Sequence, residues 1–281
     1  MTIELINSLS DSALPGVSWQ IEQVRTGKSS ELWVATPHED ASYLARQLGL
    51  APYQVFDIYA QRYLTAIDET KGIWWTDLPV PNNARFVINA DWTKSIMSFG
   101  CEIAKVRWYS DAKRIVQAVA WQDSRGQIDY KDIYQRDGKR FATQYFSDGQ
   151  LLVTEFFFGD EAIVVRDFYF NKRRDFVYAN GQQFESAEQY IAAVINRQTN
   201  QTINITQFGR ELTFVPKHTI LTLIDNLTDS ASNLQPRLRQ ILTDHQSPIG
   251  EIRMTDANFD YLKRAGVPVN HVKLVKIGRA S

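Results

Sequence analysis

The chain has 281 residues, 44% apolar and 22% charged, an ordinary globular balance with length for one large domain or two modest ones. Its 31 Lys and Arg nearly cancel its 32 Asp and Glu, which excludes the basic stripe a nucleic-acid binder uses to release counterions. A single cysteine, Cys101, excludes an intramolecular disulfide and a Cys-rich zinc site, and with Ile103 and Ala104 beside it reads as a small buried strand residue.

The N-terminus, Met1-Thr-Ile-Glu-Leu-Ile-Asn, lacks a basic segment and carries Glu4 among its apolar residues, unlike a signal peptide. No apolar run approaches the ~20 residues that span a bilayer, so the expected location is the cytoplasm. Residues 1–70 mix short strands and helices. Thr2–Leu9 and Glu31–Ala35 read as strands, and Asp40–Leu48 as a helix with Leu44 and Leu48 four apart and Gly49 as a stop. Phe56, Tyr59, Ala60, Tyr63 and Ile67 lie at helical spacing, so a helix is expected over Tyr53–Ile67.

Residues 72–185 change rhythm. Arg125-Gly126, Asp137-Gly138, Asp148-Gly149, Gly159-Asp160 and Asn180-Gly181 are turn dipeptides, and Asp-Gly and Asn-Gly are strong hairpin signals. Between them Ala104, Val106 and Trp108 alternate with Lys105 and Arg107. Ile128, Tyr130 and Tyr134 share a face, as do Phe141, Thr143 and Tyr145. An aromatic closes each strand before its turn, at Trp121, Tyr134 and Tyr145. Connections this short force antiparallel neighbours, so an up-and-down meander of about six strands is expected, with two unpaired edges.

Residues 186–281 alternate helix and strand. Ser186-Ala-Glu-Gln189 has the capping-box pattern and opens a helix through Arg197. Thr219–Ile224 is an apolar, β-branched run typical of a strand buried on both faces. Leu234–Leu242 reads as a helix, Ile249–Met254 as a strand, Asp256–Ala265 as a helix ended by Gly266, and Val272–Ile277 as a last strand. This order implies a parallel sheet with right-handed crossovers. The expected fold class is α/β plus β: a discontinuous Rossmann-like domain from 1–70 and 186–281, carrying an inserted antiparallel β-meander over 72–185.

Residues at catalytic spacing are not found. His38, His218, His245 and His271 stand in separate segments, and there is no HExxH, Walker loop, Gly-x-Gly-x-x-Gly or Gly-x-Ser-x-Gly. No catalytic residue, metal site or cofactor is therefore expected. Asp160-Glu161 and Lys172-Arg-Arg174 read as solvated turns. Asp225 follows the buried strand, at the end where open α/β sheets hold ligands; it is the best polar candidate there, although a turn or cap is the plainer role for one isolated Asp. Trp74-Trp75 and Trp108-Tyr109 could stack on a sugar, with core packing the default.

At Ile115-Val-Gln-Ala-Val-Ala-Trp-Gln-Asp-Ser-Arg-Gly-Gln127 and Asp132-Ile-Tyr-Gln-Arg-Asp-Gly-Lys-Arg-Phe141 the chain resembles the meander of bacterial accessory Sec glycosylation proteins. Val119, Trp121, Asp123 and Gly126 match that family's V-x-W-x-D-x-x-G strand and turn, and Tyr134, Gly138 and Phe141 its Y-x-x-x-G-x-x-F/Y hairpin. Trp74-Trp-Thr-Asp-Leu-Pro-Val-Pro81 is similar to its Y-F-x-x-V/I-P-V-P lead-in, and Gly250-Glu-Ile-Arg-Met-Thr-Asp256 with Val272-Lys-Leu-Val275 to the last strands of its first Rossmann domain (GT-B N-terminal type). The resemblance covers about 74–281; the first 70 residues match poorly.

Two kinds of relative share this meander: a transferase that adds N-acetylglucosamine to serine-rich-repeat adhesins, and its stabilising, chaperone-like co-subunit of the GtfB type. The proline-rich lead-in looks more like the co-subunit. The resemblance implies a non-catalytic subunit lacking the C-terminal Rossmann half, and with it any evident place for a nucleotide-sugar. Its implied partners are a catalytic glycosyltransferase, touched through Trp121, Tyr134, Phe141, Tyr145 and Phe158, and a Ser/Thr-rich acceptor polypeptide, touched through Trp74, Trp75 and Asp225. Membrane association is expected only through that complex. A catalytic glycosyltransferase fragment and an unrelated β-meander interaction protein stay open as alternatives.

Overall fold

The computed structural model describes residues 2–111, 114–198, 200–224, 227–228, 234–243, 247–267 and 272–274. It divides into two compact units, Met1–Thr65 with Ile191–Ser281, and Ala66–Tyr190. The first begins with β1 (Thr2–Ile6), α1 (Pro15–Arg25), β2 (Glu31–Val34), α2 (Ala41–Gln47), β3 (Val55–Asp57) and β4 (Arg62–Tyr63). The second unit holds β5 (Arg85–Ile88), β6 (Lys94–Ser98), β7 (Cys101–Trp108), β8 (Val116–Gln122), β9 (Ile128–Tyr134), β10 (Arg140–Ser147), β11 (Gln150–Phe156), β12 (Val165–Phe170), β13 (Arg173–Ala179) and β14 (Gln182–Phe184). Helix α3 (Ala187–Gln198) crosses the boundary, and β15 (Thr202–Ile205), β16 (Thr219–Leu223), α4 (Pro236–Thr243), β17 (Ile249–Met254), α5 (Asp256–Arg264) and β18 (Val272–Leu274) return to the first unit.

The first unit is α/β. Its sheet runs β18-β17-β16-β15-β1-β2-β3-β4, parallel throughout except for the β3–β4 pair. Strand order reverses between β1 and β15, the crevice where such folds hold ligands. Every residue of β16 is buried, as expected of a strand covered on both faces. Pro15 starts α1 at a position where its missing N–H costs nothing. Val17, Ile21 and Val24 then form a buried stripe against Ile6, Leu32, Val34 and Ala45.

Glu4 lies buried in the middle of this sheet. Its carboxylate accepts from Ser29 Oγ (2.6 Å), Asn204 Nδ2 (2.7 Å) and Gln20 Nε2 (3.1 Å). Asn204 Oδ1 accepts from Thr222 Oγ1 at 2.6 Å, and Gln20 Oε1 from Thr206 Oγ1 at 2.8 Å. Burial raises the Glu4 pKa, against the lowering effect of these donors. A network so fully partnered fixes β1, β15, β16 and α1 in one arrangement.

The second unit is an antiparallel meander. Its sheet order is β14 through β5 in unbroken sequence, every neighbouring pair antiparallel. Asp148-Gly149 (φ 47° and 72°) and Asn180-Gly181 (φ 51° and 74°) supply the paired positive φ that tight hairpins need.

Three expectations are corrected. The segment Tyr53–Ile67 is not a helix: Pro52–Gln54 is a 3₁₀ turn, and β3 and β4 follow. Pairing with β2 overrides the helical spacing, Phe56 packs between Trp33 (4.7 Å) and Tyr63 (5.2 Å), and Gln61 at φ 54° breaks any helix. The meander has ten strands instead of about six. Cys101 is exposed, because it opens β7 directly after the Phe99-Gly100 turn. Helix α1 and strand β15 were not anticipated.

Candidate functional site

One cross-strand row runs the width of the meander. Phe86, Ile96, Ala104, Trp121, Tyr130, Tyr145, Val153, Phe168 and Phe176 are successive register partners, one from each strand β5 to β13. The period-two geometry of strands therefore puts nine apolar side chains on one face. The chain's own lead-in covers the start of this face. Ile73, Trp75, Leu78, Val80 and Ala84 pack on Ile96, Ala104, Val106, Val119 and Tyr134, and the Trp75 ring meets Phe86 at 5.2 Å and Trp108 at 5.1 Å.

Beyond the lead-in the row opens. Trp121 stacks on Tyr130 at 6.0 Å, Tyr130 lies 6.4 Å from Tyr145, and Phe168 stacks on Phe176 at 4.3 Å. Tyr145 is 41% exposed. A parallel polar row braces the aromatics. Asp132 accepts from Trp121 Nε1 (3.2 Å) and Thr143 Oγ1 (2.8 Å), while Glu155 accepts from Tyr145 Oη (3.3 Å) and Arg166 Nε (2.8 Å). Partial burial, with Asp132 or Glu155 nearby, raises the Tyr130 and Tyr145 pKa values. Both hydroxyls stay protonated, that of Tyr145 donating to Glu155.

Of the residues expected to touch a partner, Trp121 and Tyr145 stand in this row. Tyr134 is buried under the lead-in, where burial pushes its hydroxyl up to about 12. Phe141 and Phe158 are buried as well, in a cluster with Phe156 at ring separations of 5.4–5.8 Å. These three side chains are thus withdrawn from any partner. Trp74 and Trp75 do not form a joint stacking surface: Trp74 pairs with Ile115 as a half-exposed bridge, while Trp75 belongs to the core. Asp225 lies outside the described residues. Tyr130, Phe168 and Phe176 were missed, although strand alternation places each on the same face as its neighbours in the row.

In the first unit, the crevice between β1 and β15 carries a polar cluster. Arg210 Nη1 donates to Asn7 Oδ1 (3.1 Å) and Thr36 Oγ1 (3.0 Å), and Thr36 Oγ1 donates to Asn7 Oδ1 (3.1 Å). Next to Arg210, Glu211 is buried and its pKa is raised, first by burial and then by the charge of Asp11. Among the described residues no three His, Cys, Asp or Glu side chains are grouped to hold a metal ion.

Residues 86–186 match the family model of the GtfB middle domain. The match spans the meander from β5 to β14. The whole chain shares its fold with solved glycosylation proteins. A GtfA/B complex bound to UDP and GlcNAc matches with a TM-score of 0.67 and 15% identity, over 98% of this chain and 61% of that one. The Gap123 complex of Streptococcus agalactiae matches at 0.72 with 14% identity, over 98% and 60%. The pneumococcal O-GlcNAc transferase GtfA, in complex with UDP and GlcNAc, matches at 0.72 with 13% identity, over 99% and 60%. The chain thus spans about three fifths of these solved chains. No curated protein matches it in sequence. The same fold thus occurs in transferase and accessory chains alike.

Proposed function

We propose that the chain acts as a GtfB-type partner of a bacterial O-linked N-acetylglucosamine transferase, stabilising the catalytic subunit and holding Ser/Thr-rich acceptor polypeptide without doing the chemistry. The middle domain over 86–186 carries this reading, supported by the open aromatic half of its sheet. Among the described residues β5 and β14 end that sheet, each paired to a strand on one side, and such edges can add a strand from another polypeptide. The α/β unit, with Arg210, Asn7 and Thr36 in its crevice, would face the acceptor; Trp74 and Asp225 are further acceptor contacts under this proposal. The site of action is the cytoplasm, where nucleotide-sugar donors are held; among the described residues no helix is long and apolar enough to cross a membrane.

Co-expression with a GtfA-type catalytic chain tests the reading. Co-purification is expected, with transfer onto a serine-rich acceptor falling at least tenfold when this chain is omitted. Equal solubility and equal transfer without it would overturn the proposal. A catalytic role is the second reading, because the pneumococcal transferase matches as well as the Gap123 complex, both at a TM-score of 0.72. It requires turnover of UDP-N-acetylglucosamine by this chain alone.

A further inference from the structure

Three hairpins of the meander use the same turn. Asn89 N donates to Thr93 O (2.8 Å) and Trp92 N to Asn89 O (2.9 Å). Asp123 N donates to Gln127 O (2.8 Å) and Gly126 N to Asp123 O (3.0 Å). Gln135 N donates to Lys139 O (2.8 Å) and Gly138 N to Gln135 O (3.0 Å). The fourth residue is left-handed in each, with φ of 65° at Trp92, 78° at Gly126 and 81° at Gly138. Two turns use glycine there, as sterics favour. The third uses tryptophan, and its side chain is 76% exposed. Neither backbone conformation nor burial favours an indole at this position.

Trp92 stands at the rim of a groove of about 420 Å³, within the range of small-molecule sites. The small side chains of Ala118 and Ala120 line it, with Lys94, Lys105, Arg107 and Lys131 as cations and Asp91 as the lining carboxylate. Asp91 is engaged by the Thr93 backbone N–H (3.1 Å) and hydroxyl (2.6 Å), and Lys105 lies 3.7 Å from Glu102. In a chain whose charges otherwise balance, four cations around one concavity focus a positive potential that favours an anion. The indole adds a flat face for a ring.

We propose that this groove binds an organic phosphate, with the phosphate on Lys105, Arg107 and Lys131 and the attached sugar or base ring against Trp92. The site is independent of the partner-binding reading.

Calorimetry on the full chain, with N-acetylglucosamine 1-phosphate, UMP, inorganic phosphate and neutral N-acetylglucosamine as probes, tests it. At least one ester should bind tenfold more tightly than inorganic phosphate or the neutral sugar, and its affinity should fall as salt rises. Which ester binds identifies the source of the ring. Trp92→Gly should weaken ester binding at least tenfold while raising Tm by about 2–4 °C, because it relieves the left-handed strain. Lys105→Ala with Lys131→Ala should weaken ester binding and reduce its salt dependence, Arg107 and Lys94 remaining. Four outcomes would overturn the site: no ester binding, equal affinity for inorganic phosphate, ester affinity unchanged in Trp92→Gly, or a Tm lowered by that substitution.

Discussion

Arg136 and Asp111 form a two-pronged ion pair, Nη1 to Oδ2 at 3.1 Å and Nη2 to Oδ1 at 2.9 Å. The guanidinium is only 4% exposed; it lies 4.5 Å from the Tyr109 ring centroid and 3.8 Å from Glu69. Tyr109 in turn donates its hydroxyl to the Tyr134 carbonyl at 2.7 Å. The residues just after β7 are thereby tied to the end of β9, and Glu69 of the lead-in joins the same cation.

Asp111→Ala should destabilise the chain by about 2–3 kcal/mol, because it takes the two-pronged partner from a buried guanidinium. Arg136→Met should cost less, since an apolar side chain of similar length leaves nothing to solvate. Urea midpoints of the two variants check the order. A smaller loss for Asp111→Ala than for Arg136→Met would show that packing, not pairing, sets the energy of this contact.

Glycine serves two distinct purposes in the meander. A Cβ on Gly72 would lie 2.6 Å from the Arg136 carbonyl oxygen and 2.7 Å from Ile115 Cγ2, while its φ of −59° suits any residue. Gly126 has open space within 4 Å but a φ of +78°. Gly126→Ala should therefore cost about 1 kcal/mol, the conformational penalty alone. Gly72→Ala should cost more, about 2–3 kcal/mol, as backbone is displaced. Thermal melts of both variants give the comparison.

The same pair of effects explains what the sequence could reveal. Asp148-Gly149 and Asn180-Gly181 announce their hairpins because positive φ is written in the residue type. The β5–β6 hairpin escapes notice because Trp92 occupies the glycine position. Tyr134 and Tyr145 look alike in sequence, each an aromatic a few residues before an Asp-Gly turn. Their different fates depend on a lead-in folding back over Tyr134 and stopping short of Tyr145, which no local pattern encodes. Phe56, Tyr59 and Tyr63 fit a helical face and yet pair as strand and turn, since Val55 and Phe56 gain a parallel neighbour in β2. At the start of α3, the capping-box pattern Ser186-Ala-Glu-Gln189 was legible because its reach is short: Gln189 N donates to Ser186 Oγ at 3.1 Å and Glu185 N to Gln189 Oε1 at 2.7 Å. The Arg210–Asn7 contact spans most of the chain and was not.

Asp57 is buried at the end of β3, and burial raises its carboxyl to about 6 from 3.8, against the lowering effect of the Ala60 and Tyr59 backbone N–H groups. A carboxyl with a raised folded-state pKa holds its proton more tightly when folded. Its contribution is therefore fully present below about pH 4 and declines as pH rises to about 6. Asp57→Asn should remove this decline. The difference in Tm between wild type and variant, measured from pH 4 to 7, should change between pH 4 and 6 and level off above; a flat difference would mean that Asp57 is not held neutral by its surroundings.

Tyr145 and Phe141 stand on the same strand but differ in exposure, 41% against 4%, and so separate partner capture from folding. Tyr145→Lys places a charge in the open aromatic row, whose local register is already set by the hydrogen bonds of Asp132 and Glu155. It should lower capture of the catalytic subunit at least tenfold while leaving Tm within about 2 °C of wild type. Phe141→Ala, by contrast, opens a cavity between Phe156 and Phe158 and should cost about 3–5 kcal/mol. Any loss of capture in that variant should be recovered at low temperature, where it remains folded. If Tyr145→Lys captures the partner normally, the contact must run instead along an edge strand, β5 or β14. A proline substitution in the exposed backbone of either edge would then be the variant that releases the partner.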